Sequence, residues 1–230
     1  MLTTAFHRTV CALALTLFAA AHSAHAASVT LNNWTFGSGG TVNTATPNYN
    51  GAAGGFSGSL DGAAVMTYCV ELTQQFNWNV NYTNFTDMTA LSYFGVGSDK
   101  ALQLAKLVSY AFYDSVVRVN DAAQSTSLQL AVWNVVYDQD ITLATGAFTD
   151  TSGYASYATS LLSASQNFSN LADVWVLASA TQQDQLRWSR VPTGRTSNAD
   201  GTVPEPGALA LVLVALVALG AAGLASRRRG

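Results

Sequence analysis

The chain has 230 residues, with 10 Lys and Arg against 13 Asp and Glu, a formal net charge of −3 and 49% hydrophobic residues. An apolar run at each end takes part of that hydrophobic content out of any soluble core, leaving about Ala27 to Val203 to fold as one domain. Within that span the basic residues are Lys100, Lys106, Arg118, Arg187, Arg190 and Arg195, scattered in a net acidic background, which argues against a nucleic-acid surface.

All three histidines, His7, His22 and His25, precede Ala27. Residues 1–26 have a basic start at Arg8, an apolar stretch from Val10 to Ala21 and the small-residue site Ala24-His25-Ala26, the layout of a cleavable secretory signal. Its removal leaves no imidazole, and with it no Ser-His-Asp triad, no Cys-His pair and no His-ligated zinc. Cys11 leaves with the leader, so Cys69 is expected to be the one thiol of an exported protein, without a disulfide partner. No cofactor and no metal is expected.

The glycine-rich span to about Gly62 predicts short strands, Val29-Thr30-Leu31 and Trp34-Thr35-Phe36 among them. A buried strand is expected over Ala63 to Leu72, and further strand and loop through Phe76, Trp78, Tyr82 and Phe85. Gly95-Val96-Gly97-Ser98 precedes a helix, but Asp99 repels phosphate and no third glycine follows. Ser98 is read as the cap of a helix burying Ala101, Leu104, Ala105, Val108, Ala111 and Phe112. A second helix carries Leu128, Ala131, Val132, Val135 and Val136 as a single apolar stripe. A third runs from about Tyr154 to Phe168, and strands are expected at Asp173 to Leu177 and Gln185 to Trp188. Asp138-Gln139-Asp140 begins like a calcium loop but lacks the later glycine and glutamate, so it is read as a helix-ending loop. Strands, then helices, then strands predict an α+β fold: a β-sandwich or antiparallel sheet with an inserted helical subdomain, plus one C-terminal transmembrane helix. The expected boundaries are 1–26 for the leader, 27–188 for the ectodomain, 189–203 for a flexible linker and 204–230 for the membrane segment.

That last segment reads Pro204-Glu205-Pro206, an apolar run from Gly207 to Ala225, then Arg227-Arg228-Arg229. At about 1.5 Å per residue the run reaches roughly 28 Å, close to the hydrocarbon thickness, with the arginines on the cytoplasmic side. Pro-Glu-Pro, an apolar span and a terminal basic cluster together resemble the PEP-CTERM sorting signal of Gram-negative bacteria. The resemblance implies an exosortase-type sorting protease as partner, transient residence in the inner membrane, cleavage near Val203 to Gly207, and release to the cell surface or an extracellular matrix such as that of a biofilm. A permanent tail anchor is the alternative.

Two further stretches, Tyr68-Cys69-Val70 on a strand and Gln129-Leu130-Ala131-Val132-Trp133 on a helix, resemble the thioester domains of bacterial surface adhesins. Leu128 stands where a Thr is usual there, and Val132 replaces an Ile. The resemblance implies an internal thioester between Cys69 and Gln129 that acylates a surface nucleophile or an extracellular polysaccharide. The residues offer a physical case as well. An exported lone thiol needs a partner, and Gln129, read as first-turn, has its carbonyl polarised by free N–H groups and the helix dipole. Tyr68 and Val70 flank the sulfur with apolar bulk, Trp133 lies one turn on to exclude water, and Glu71, two residues along the strand, is placed to move a proton. The competing reading makes Cys69 inert core and Gln129 the closing residue of a capping box begun by Thr126. The expected function is attachment, covalent or non-covalent, rather than enzymatic turnover. A hydrolase pairing Glu71 with an aspartate ranks below both.

Overall fold

The computed structural model describes residues 25–114 and 118–189. Six antiparallel strands close into a barrel in the order β1(His25–Trp34), β4(Phe56–Leu60), β5(Ala63–Cys69), β8(Gln185–Ser189), β7(Asp173–Ala178) and β6(Tyr82–Thr89). A hairpin of β2(Gly40–Thr44) and β3(Tyr49–Ala53) stands apart from it. Four helices among the described residues, α1(Ala90–Phe94), α2(Lys100–Tyr113), α3(Ala122–Tyr137) and α4(Ala155–Ser165), all fall between β6 and β7. The expected mixture of antiparallel sheet and helices is present, but the sheet closes on itself instead of stacking as a sandwich. No helix among the described residues is long and apolar enough to cross a membrane, and the expected span from Gly207 to Ala225 lies outside them.

Closure depends on β1, which pairs with β4 on one side and β6 on the other. Ala27, Val29 and Leu31 are buried at alternate positions, so one period-two strand replaces the two short ones expected. Its register shifts between Leu31 and Asn33 against β4 and between Ala27 and Val29 against β6. Such bulges bend and twist a strand, as a small barrel requires. β1 also takes in His25 and Ala26, opposite Asp87 and Thr86 of β6, two residues upstream of the expected mature start. Gly58 lets β4 approach β1 closely, since a Cβ there would lie 1.9 Å from the Thr30 carbonyl oxygen. The β4–β5 hairpin turns through Asp61 and Gly62, both at positive φ (50° and 82°), the two-residue turn whose twist suits paired strands.

α3 is buried continuously from Ser125 to Val135, so the single-stripe expectation fails. It packs against β5 and the β2–β3 hairpin on one side and against α2 and α4 on the other, leaving no face for solvent. Its polar side chains are therefore spent on neighbours. Ser125 Oγ accepts from the Gly55 N–H at 2.8 Å, and Thr126 Oγ1 accepts from the Gly40 N–H at 2.9 Å.

The helix starts also differ from the expected ones. Asp121 caps α3, its Oδ1 accepting from the Gln124 N–H at 2.8 Å, which places the start before Thr126. For α2 the residue before the helix is Asp99, without a side-chain cap; Ser98 Oγ accepts from the Lys100 N–H at 3.3 Å. α4 covers the middle of the expected third helix, and α1, capped by Thr89, is a short helix that periodicity does not reveal.

Candidate functional site

The site begins where β5 outruns its neighbour. β4 starts at Phe56, opposite Thr67, so continuing that register would set Gly54 opposite Cys69, beyond the end of β4. On its other side β5 still pairs with β8, through Tyr68 with Leu186 and Cys69 with Gln185. A buried peptide unit with one side of its ladder missing must find other partners. Gln129 provides them: its Oε1 accepts from the Cys69 N–H at 2.8 Å and its Nε2 donates to the Cys69 carbonyl at 2.8 Å. A side-chain amide thus takes the place of a strand residue, and both partners are buried.

The thiol of Cys69 is the free cysteine of the described residues and is 3% exposed. Gln185 Nε2 lies 3.7 Å from Sγ, while Gln185 Oε1 accepts from the Thr67 hydroxyl at 3.0 Å. Burial pushes the thiol pKa well above its ordinary value; the Gln185 contact pulls it down and the Glu71 charge pushes it up. Sulfur is therefore held as the neutral thiol, and any attack by it needs a base.

The structure brings together Cys69, Gln129 and Trp133, and corrects the roles expected for other residues. Gln129 is the eighth residue of the 16-residue helix α3, not a first-turn residue, so neither free N–H groups nor the dipole end act on it. Its carbonyl is instead polarised by the Cys69 N–H. The capping-box reading fails for the same reason, because the cap is Asp121. Glu71 lies beyond the end of β5 and does not share a strand face with Cys69. Glu71 Oε2 accepts from the Thr73 N–H and hydroxyl, its carbonyl accepts from Gln183 Nε2 at 2.8 Å, and its Oε1 is buried without a partner among the described residues. Tyr68 packs near Trp188 and Phe112, with its hydroxyl 2.9 Å from Ser125 Oγ. Burial raises its pKa, a rise that the Ser125 bond opposes.

The Asp138-Gln139-Asp140 carboxylates are engaged within their loop. Asp138 Oδ2 accepts from the Phe148 N–H at 2.9 Å, and Asp140 Oδ1 from Asn134 Nδ2 at 2.9 Å and the Thr142 N–H at 3.1 Å. Among the described residues no group of His, Cys, Asp and Glu side chains is arranged to hold a metal.

Over Cys69 and Gln129 lies a cavity of about 250 Å³. Trp133, 2% exposed, forms part of its wall and packs edge-on against Tyr49, with centroids 5.6 Å apart. A further wall is an aromatic cluster of Trp34, Phe56, Phe76 and Trp78. Sequence reasoning missed most of this wall. The aromatic density at Phe76 and Trp78 was visible, but only the loop after β5 carries them over the cysteine. Gln185 became a neighbour of Cys69 through β5–β8 pairing across 116 residues, for which no local pattern exists. The sorting residues Pro204, Glu205 and Pro206 and the basic residues Arg227, Arg228 and Arg229 lie outside the described residues. Compared with protein-family models, with curated proteins and with solved structures, the chain matches none.

Proposed function

We propose that this chain is an exported attachment protein whose Cys69 and Gln129 condense into an internal thioester at the base of the aromatic cavity. The observation that carries the reading is the pairing of the Gln129 carboxamide with the backbone of Cys69, whose own side chain is the free thiol. Cys69 Sγ attacks Gln129 Cδ, an S–C bond forms and the C–N bond breaks. The amide nitrogen leaves as ammonia and takes up the thiol proton. The Cys69 N–H bonded to Oε1 stabilises the oxyanion that develops on that oxygen. Glu71, whose charge raises the thiol pKa and whose Oε1 is buried without a partner among the described residues, is the base we assign to relay that proton from sulfur to nitrogen. A target nucleophile then takes the acyl group and returns the thiol. Trp133 and the enclosed position of the bond keep water away until that happens.

Export and delivery rest on the leader and on the Pro204-Glu205-Pro206 segment with its apolar run and arginines. The sorting protease is the partner on that route, and the cell surface or extracellular matrix is its end.

A second reading has its own observation. The Gln129 amide already satisfies a buried backbone, so it also serves as a purely structural tie in a non-covalent binding module. Intact mass separates the two. The thioester reading expects wild type to be lighter than its sequence by one ammonia and Cys69→Ala to have full mass. A wild type of full mass with one titratable thiol after unfolding overturns it.

A further inference from the structure

We propose that the cavity over Cys69 and Gln129 binds a neutral sugar unit of a glycan. The location rests on the attachment reading, but the proposal does not require the thioester.

The lining contains no Asp, Glu, Lys or Arg. A phosphate, a carboxylate or an ammonium group entering it would shed part of its hydration without meeting a counter-charge in the lining, which is costly. The guest is therefore uncharged. Its apolar side meets a continuous aromatic wall. Ring centroids are 4.8 Å apart for Trp34 and Phe56, 4.9 Å for Phe56 and Phe76, 4.9 Å for Phe76 and Trp78, and 5.4 Å for Trp34 and Trp78. Phe76 and Trp78 pack edge to face with their neighbours and Trp34 lies tilted at 33° to Phe56, so the rings present a surface and not an empty cage for a cation.

The polar side of the guest is specified by two lining residues, each of which carries a buried polar atom. Gln74 Oε1 is an acceptor and Trp133 Nε1 a donor, and neither has a hydrogen-bond partner among the described residues. Burying such atoms unpaired is costly. A hydroxyl group both donates and accepts, and so can satisfy either one. At about 250 Å³ the cavity lies below the usual range for drug-sized ligands, room for one ring and not for an extended peptide. One apolar ring face, several hydroxyls and no charge together describe a pyranose unit. Trp78, 38% exposed, sits at the mouth, where the rest of a glycan chain would leave.

The test titrates the purified protein with neutral gluco-, galacto- and manno-oligosaccharides at millimolar concentration, reading tryptophan fluorescence and heat. Uronate oligosaccharides, polyamines and aromatic peptides serve as competing classes. Saturable binding of a neutral oligosaccharide is expected, weakened about tenfold or more in Trp78→Ala and in Gln74→Leu, both with unchanged circular dichroism. Binding of none of the neutral sugars, binding of a competing class alone, or affinity unaffected by Trp78→Ala and Gln74→Leu overturns the proposal. Intact mass on the same samples keeps the two ideas separate: ammonia loss without sugar binding removes this inference alone, and sugar binding at full mass removes the thioester alone.

Discussion

Gln129 holds Cys69 by its backbone, not by its sulfur. Oε1 and Nε2 of one side chain engage the N–H and C=O of one residue, both at 2.8 Å, where the β4 strand stops short. The pair is thus sheet completion and chemical opportunity at once, because the residue whose peptide unit is being satisfied is also the one that carries the thiol.

Replacing Gln129 tests the first half of that statement. Gln129→Ala leaves a buried N–H and a buried C=O without partners and opens a gap in α3, and we expect a loss of about 3 kcal/mol in urea unfolding with an unchanged m-value. Gln129→Glu should cost at least as much at neutral pH, since an ionised carboxylate there is buried without a counter-charge and has no proton to donate to the Cys69 carbonyl. A cost below about 1 kcal/mol for Gln129→Ala would mean that the pairing contributes little to the fold.

Alkaline pH tests the state of the sulfur. Burial raises the pKa values of Cys69, Tyr68 and Tyr93 in the folded chain, with the Asp184 bond at 2.6 Å adding to the rise for Tyr93. The unfolded chain therefore releases these protons first, and stability falls as pH rises past the ordinary thiol value of about 8.5 and again past the tyrosine value of about 10. The contribution is fully present below pH ~8.5. Cys69→Ala should lack the first step. If the thioester has formed, wild type has no thiol and its curve follows that of Cys69→Ala; a wild-type step near pH 9 indicates a free thiol.

Along the barrel wall, Arg187 of β8 reaches over β7 to Asp87 of β6, its Nε 3.0 Å from Oδ1 and its Nη2 donating to Oδ2, while the guanidinium lies 4.3 Å from the Trp175 ring centroid. Asp87 is 4% exposed. Asp87→Ala strands the guanidinium and should cost about 3 kcal/mol in chemical denaturation. The double variant Asp87→Leu/Arg187→Met should cost less than the two single changes added together, because no charge is left unpaired. Additive losses would show that the pair acts through packing alone.

Local chemistry made much of the molecule legible from its sequence. Val29 and Leu31 read as strand within a glycine-punctuated span, Ala63 to Cys69 read as a buried strand because the run is short and almost wholly apolar, and Leu104, Val108 and Ala111 read as helix because the apolar repeat has a helical period. Cys69 and Gln129 stood out because a lone thiol and an amide within short motifs can be recognised without neighbours. The start of α3 could not be read so directly: Asp121 and Thr126 both suit a cap, and burial on every side erases the stripe that would locate the first turn.

What the sequence determined by itself is the inventory: Cys69 as the one cysteine after Ala27, no histidine after Ala27, and helices flanked by strands. The tertiary structure alone decided how these meet. β5 extends past β4, so that an amide from mid-helix completes the sheet; β8 returns Gln185 to the sulfur; and the loop after β5 lays Phe76 and Trp78 over both. Each of these contacts joins residues distant in the chain, and periodicity reports only what one segment buries, not which segment buries it.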